Sequence, residues 1–497
     1  MLARLEQHAV PLVAARAVRI RHLLIALPKG IAASELARLP HAPVLKAALA
    51  RRRKKPADLA TAPLSADAPG GALVSWVMHD PDQPAFERHT AMRKAVQPLL
   101  AEHPREIALA VFGSAEQRRQ AAEAALYAAW VNGARLPQRK KKVEGPVLSR
   151  VVLHGAEVDS RGALLRAQAE GNILCRELTV LPPNELTPGA YRKRVEQLAE
   201  EHGWAHDEYD MARLRKIGAG AFVAVAQGSD PADAAIVHLT HRHRAASRTV
   251  ALVGKGICFD TGGHNLKTAR YMYGMHEDMN GSAVALSILL AATRAKLPVN
   301  IDCWLALAQN HLSPRAYRQN EVVKALNGTT IEIVHTDAEG RMVLADTLSL
   351  AARAKPDLIV DFATLTGSMR VALGERYSGA FATSQELAGE VLAAGAASGE
   401  RVCVFPMDED YDAALDSTIA DVKQCTLEGE ADHILAARFL KRFTAGRPWI
   451  HMDLSASSCK GGLGAVASEA TGFGVGWGLA LLQSGLPRQR ARATRAG

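Results

Sequence analysis

The sequence predicts an α/β protein in two parts. A smaller N-terminal α/β domain spans residues 1–158, a connecting helix spans 159–178, and a larger three-layer α/β/α domain with a mixed central sheet spans 179–497. Three observations carry this prediction. Short apolar strands alternate with helical periodicities between residues 179 and 480. Acidic and glycine-rich turns follow some of those strands, where open α/β sheets usually build their sites. The 497 residues, 48% of them hydrophobic, suffice for two or three domains and a large core.

In chain order, residues 1–30 lack the pattern of an export signal, because Arg16, Arg19, Arg21 and His22 interrupt the apolar stretches. No run of about 18 apolar residues occurs, so neither a membrane span nor a membrane partner is expected. Ala72–Met78 and Ile107–Phe112 read as strands, Ala115–Trp130 as a helix and Val147–His154 as a further strand. Arg51–Gly71, punctuated by Pro56, Pro63 and Pro69-Gly-Gly, reads as a flexible surface loop. The connecting helix runs over Gly162–Leu178.

Beyond it, the expected strands are Phe222–Ala226, Ile236–Leu239, Val250–Val253, Ile301–Ala308, Ile331–Val334, Leu358–Phe362 and Trp449–Leu454. The expected helices are Ala190–His202, Gly281–Ala295, Met342–Ala354, Ser384–Ala397 and His433–Thr444. Six cysteines are scattered without a Cys-x-x-Cys pair and read as free thiols of a reducing compartment, hence a cytoplasmic location.

The net charge of +9 is concentrated. Arg51–Lys55, Arg139–Lys142 and the tail residues Arg488, Arg490, Arg492 and Arg495 hold thirteen cations, leaving 47 basic against 51 acidic residues elsewhere. Such runs could engage nucleic acid, or could be solvated loops. The tail after Pro487 is expected to be disordered.

The informative stretch is Ile331–Leu350. Its strand-like start passes through a turn carrying Asp337, Glu339 and Arg341 into a helical pattern. Upstream, Val253-Gly-Lys-Gly-Ile-Cys-Phe-Asp-Thr-Gly-Gly-His-Asn-Leu-Lys267 reads as a short strand followed by a glycine-shaped loop, continuing to Met275-His-Glu-Asp-Met-Asn-Gly-Ser282. Asp260, Asp278, Asp337 and Glu339 together offer four carboxylates, the oxygen donors that divalent cations favour. Converging without cations, they would repel one another and raise their own pKa values. Each could instead face water.

Together these stretches resemble the leucyl (cytosol) aminopeptidases, a family of dinuclear metallopeptidases. The resemblance rests on Val253–Gly263, Leu266-Lys267, Asp278-Met-Asn-Gly-Ser-Ala283 and Thr336-Asp-Ala-Glu-Gly-Arg341, in the family's order. Pro183–Pro188, Ala224–Ser229, Ala363–Gly367 and Trp449–Asp453 support it, and the likeness extends over residues 165–480.

The resemblance implies that Lys255, Asp260, Asp278 and Glu339 hold one divalent ion, Zn²⁺ or Mn²⁺, while Asp260, Asp337 and Glu339 hold a second. A ligating Lys255 must be neutral, far below its free pKa of about 10.4. Lys267 resembles the lysine that stabilises the tetrahedral oxyanion, and Arg341 the arginine that anchors a bicarbonate acting as general base. Met275, Thr364 and Gly367 match positions lining the pocket for the first side chain, which suits Leu or Met. The implied activity is removal of N-terminal residues from peptides by a homohexamer.

Departures accompany the match. His335 replaces the usual Asn, Gln319-Asn-Glu321 the usual Pro-Gly-Asp, and Gln424 an Asn; His264–Thr268 lacks a proline after the lysine. They remove no ligand but put substrate preference and pH profile in question. The other readings are a nucleic-acid-binding protein with an idle site, which salt-dependent DNA retention would reveal, and a two-metal phosphoesterase. The His-rich ligand sets expected of a phosphoesterase are absent from the key loops.

Overall fold

The computed structural model describes residues 2–142 and 145–484. The expectation of a disordered tail after Pro487 lies outside them. The chain divides into two compact units, the first formed by Met1–Glu177, Ala396–Arg401 and Ser458–Gly472 and the second by the remainder. The first therefore includes most of the Ser160–Thr179 helix and two short stretches expected to lie with the catalytic part. Polar side chains bind the 458–472 segment. Arg93 donates to the carbonyls of Gly461 and Val466, Asn132 to that of Ala465, Asn172 to that of Thr471, and Arg176 to the Ser468 hydroxyl.

In the first unit a six-stranded sheet, parallel but for one edge pair, buries Leu23–Leu27 and Ile107–Val111 between its helices. Two of its strands, Arg4–His8 and His22–Pro28, and the helix Ala85–Ala101 lay outside the sequence reading. The expected loop Arg51–Gly71 is instead the end of one helix, a 3₁₀ turn over Pro56–Ala60 and an edge strand over Leu64–Ala68. The prolines that suggested a loop mark the ends of short elements, and buried Leu59 and Leu64 hold the segment down.

The second unit is three-layered around an eight-stranded mixed sheet. Its four central strands are parallel: Trp449–Asp453, Leu358–Ala363, Thr249–Asp260 and Asn300–Asn310. Antiparallel neighbours flank them on both sides. Phe222–Ala226, expected as a strand, lies in the helix Gly220–Ala226; a short apolar run cannot by itself distinguish a buried helix from a strand. Ile331–Val334 yields only the strand Thr330–Glu332, which belongs to a separate three-stranded sheet.

The most consequential difference concerns Val253–Lys267. The strand does not stop at Val253 but runs to Asp260, so Lys255 sits within it. Gly254 serves close packing rather than a loop conformation: a Cβ there would lie 2.4 Å from the Ser282 Cα of the helix Asn280–Arg294. Positive φ begins only at Gly262 and Gly263, where the loop turns.

Candidate active site

The expected acidic and basic residues reach the site from four segments. Lys255 and Asp260 come from the central strand, Lys267 from the loop after it, and Asp278 from the 3₁₀ turn Met275–Met279. Asp337 precedes the helix Glu339–Arg353, whose first turn carries Glu339 and Arg341. Asp337 and Glu339 thus lie where the expected turn passes into the helix, while Asp278 sits on a 3₁₀ turn just before the helix Asn280–Arg294. Gly340 makes room in that first turn, since a Cβ there would come within 2.7 Å of Lys255 Nζ.

Two ion-paired corners result. Lys255 Nζ lies 2.8 Å from Asp278 Oδ1 and 3.0 Å from Glu339 Oε1, and donates to the Thr364 carbonyl at 2.9 Å. Lys267 Nζ lies 2.9 Å from Asp260 Oδ2 and 2.6 Å from Asp337 Oδ1. Carboxylate oxygens of Asp260, Asp337 and Glu339 all fall within 4.8 Å of one another, and Asp278 is joined to this group through Lys255.

The electrostatics follow from that crowding. Asp278 is pushed up to about 7 and Asp337 to about 8, by burial first and then by the neighbouring Glu339 and Asp260. Glu339 is raised by burial and by Asp260. Burial alone would lower Lys255, but Asp278, Glu339 and Asp260 outweigh it and hold the ammonium above its ordinary range. The neutral Lys255 expected of a ligand therefore requires those carboxylates to be neutralised first. Asp278 Oδ2 and Glu339 Oε2 are buried without a partner among the described residues. Converging carboxylates, a buried amine and orphaned oxygens form a donor set that fits divalent cations.

Several neighbours that the sequence reading did not single out brace these loops. Asn310 pairs in register with Asp260, donating to its Oδ1 at 2.8 Å and to the Thr336 carbonyl at 3.0 Å. Tyr317 donates its hydroxyl to the same carbonyl, and Asn265 accepts the Thr336 amide. The signal available was positional: Asn310 ends a strand beside the one that ends at Asp260. Gln424, noted only as a departure, is fully buried. Its Oε1 accepts the amides of Val334 and His335 and its Nε2 donates to the Ala338 carbonyl, clamping the turn around Asp337. Asn320, in the Gln319-Asn-Glu321 departure, has φ 65°, which Asn tolerates better than most residues. His335 Nδ1 accepts the Asp337 amide, and burial and Lys267 lower its pKa.

Arg341 is buried. Its Nη2 lies 2.7 Å from Asp432 Oδ1 and its Nη1 donates to the Gln424 carbonyl at 2.9 Å. Thr364, expected in the substrate pocket, spends its hydroxyl on Asp278 Oδ1 at 2.7 Å. Met275 is half-buried at the start of its 3₁₀ turn. Gly367 is exposed as the first residue of the helix Gly367–Leu373, with open space where a side chain would stand. None of the six cysteines is in a disulfide among the described residues. No helix among the described residues is long and apolar enough to cross a membrane.

The architecture and the loops have counterparts in known proteins. The family model described as "Cytosol aminopeptidase family, catalytic domain" matches residues 173–477. A probable cytosol aminopeptidase of Methylorubrum extorquens is 39% identical over 350 residues, 69% of this chain and 69% of that protein. One from Gluconobacter oxydans is 40% identical over 342 residues, 68% of this chain and 69% of that protein. Among solved structures, the bottromycin maturation enzyme BotP in complex with Mn aligns with a TM-score of 0.79 at 32% identity, covering 93% of this chain and 99% of that one. The matched span contains every carboxylate and lysine of the two corners, and the chain belongs to the cytosol aminopeptidase family of metal-dependent hydrolases.

Proposed function

We propose that this aminopeptidase releases N-terminal residues, Leu or Met preferred, from peptides at a site holding two divalent cations, Zn²⁺ or Mn²⁺. Lys255, Asp260, Asp278 and Glu339 would hold one cation and Asp260, Asp337 and Glu339 the other. The observation that carries the reading is the meeting of four carboxylates and two lysines from separate segments within two linked ion-paired corners. When bound, the cations supply an acidified water and polarise the scissile carbonyl.

The rest of the work falls to the chain. Lys267, on the more open corner, presents an ammonium to the charge that develops on the carbonyl oxygen; Asp260, Glu339 and Asp337 keep it protonated against the effect of burial. Thr364 orients Asp278 through its hydroxyl, while Met275 and the open face at Gly367 border the place of the first side chain. A bicarbonate at Arg341 would meet a guanidinium already holding Asp432. We carry cytoplasmic location and homohexameric assembly as part of the same reading. The basic runs Arg51–Lys55 and Arg139–Lys142 lie in the first unit, away from the matched span, and the nucleic-acid reading gains no support from them.

The test is hydrolysis of a panel of aminoacyl amides after metal removal and re-addition, with Asp337→Ala alongside. Activity that returns with Zn²⁺ or Mn²⁺, is greatest for Leu and Met, and is lost in the variant is expected. Turnover indifferent to metal removal would sink the proposal.

A further inference from the structure

Asp260 ends its strand at one end of the parallel sheet, and a cavity of about 470 Å³ opens at the other. Three segments build it. The residues after the helix Glu339–Arg353 lead into the strand Leu358–Ala363, and those after the helix Asp432–Lys441 lead into its parallel neighbour Trp449–Asp453. The two loops therefore arrive side by side, and the Ile359 amide donates to the Pro448 carbonyl at 2.9 Å. Lys355 and Ala445 turn these loops with φ of 54° and 49°, a conformation that costs a non-glycine residue energy. The third segment is the turn at Asn327, whose side-chain amide donates to the Arg442 carbonyl at 3.4 Å.

Arg353, Lys355, Arg442 and Arg447 all line this cavity, and no carboxylate does. Cations at helix carboxyl ends ordinarily offset the helix dipole, but that is worth only about half a charge per helix. Two helix ends thus leave most of the four charges unbalanced, and the chain adds little more. Arg353 Nη2 donates to the Leu326 carbonyl at 3.0 Å, and Arg442 Nη2 stands 3.4 Å from Asp412 Oδ2. That carboxylate is already held by two nitrogens of Arg438. The side chains of Lys355 and Arg447 meet no protein acceptor among the described residues. Cations converging on one concavity repel one another, and an anion placed between them relieves that repulsion.

We propose that this cavity binds a small molecule carrying two or more phosphate groups, at a site separate from the metal corners. Its volume falls within the range of about 300–1,000 Å³ typical of small-molecule sites. Guanidinium forks match phosphate oxygens two at a time, and a lysine adds a point charge. A single phosphate or carboxylate would leave at least two of the four cations unmatched. The buried ring of Phe443 completes the lining with apolar surface, on which a ring attached to the phosphates can rest.

The inference does not depend on the aminopeptidase reading. It is tested by calorimetry of the metal-loaded full chain at about 0.15 M salt, where attraction between exposed charges is largely screened. The probes are pyrophosphate, ADP, adenosine and heparin. Pyrophosphate and ADP are expected to bind once per chain, and adenosine not to bind. The double variant Lys355→Ala, Arg447→Ala should weaken both by about tenfold or more, with turnover of leucine amide and Tm unchanged. ADP binding tighter than pyrophosphate would support the site and assign it to a nucleotide; equal affinities would support it and assign it to the phosphate groups alone. The proposal is overturned if neither phosphate compound binds at about 10 mM. It is overturned if the folded variant binds both as the wild type does, since the phosphates would then sit on the metal cations. Binding of heparin alone would also overturn it, marking a surface for an acidic macromolecule. Should the double variant not fold, Arg442→Gln is judged by the same criteria.

Discussion

Lys255 and Lys267 belong to one motif, yet their corners differ in kind. Lys255 projects from the interior of a central strand, its side chain 4% exposed, into carboxylates and a carbonyl that use all its donors. Lys267 sits on the loop after that strand, 15% exposed, between Asp260 and an Asp337 that is 26% exposed. The closed corner is part of the core and cannot lose its cation without stranding buried charge. The open corner can face a substrate. On the proposed function, burial thus divides similar side chains between holding the site together and acting on what enters it.

The largest effect that could break this division belongs to Asp337→Ala. If Asp337 holds a cation at the open corner as proposed, its loss should cost turnover about a thousandfold or more, read from kcat on leucine amide, while Tm moves little. Retained turnover would mean that Asp337 is an ordinary half-exposed acid.

The two lysines then sharpen the contrast. Lys267→Ala should lower kcat by about 10²–10³-fold with bound metal unchanged by elemental analysis. Lys255→Ala should lower bound metal and, in metal-free protein, cost about 3–5 kcal/mol by leaving Asp278 and Glu339 buried without a cation. Equal metal loss in both variants would erase the distinction.

Gln424→Ala removes a clamp rather than a ligand and should weaken metal affinity about 10–100-fold, measured by competition with a chelating dye.

The smallest expected effect comes from a buried acid outside both corners. Asp346, on the same helix as Glu339, is held by backbone amides of Phe222 and Leu326 and pushed by burial to about 6. A carboxyl raised in the folded state contributes stability that is present below its unfolded value near 3.8 and lost as pH rises through about 6. Asp346→Asn should therefore cost more stability at pH 4 than at pH 7. The difference is of order 1–3 kcal/mol, read from urea unfolding at the two pH values, and a constant cost would refute the assignment.

Much of the fold was legible in the chain because long periodic segments report their own burial. The strands Asn300–Asn310 and Leu358–Ala363 and the helix Pro188–His202 emerge within a few residues of where periodicity placed them. Phe222–Ala226 failed because five apolar residues carry no period. Gly254-Lys-Gly256 misled because glycine signals close approach as readily as a turn, and only the neighbouring helix decides which. The edge strand Leu64–Ala68 was hidden among prolines whose positions, not their presence, mattered.

By itself, then, the sequence determined the α/β class, the carboxylate and lysine set and the order in which those residues occur, since these are properties of local pattern and residue type. Only the tertiary structure decided which lysine is the more deeply buried, that Gln424 clamps the Asp337 turn, and that Asp432 pairs with Arg341. Each of those joins residues more than eighty positions apart, or depends on whether water reaches a charge, and neither distance in space nor exposure is written in the local sequence.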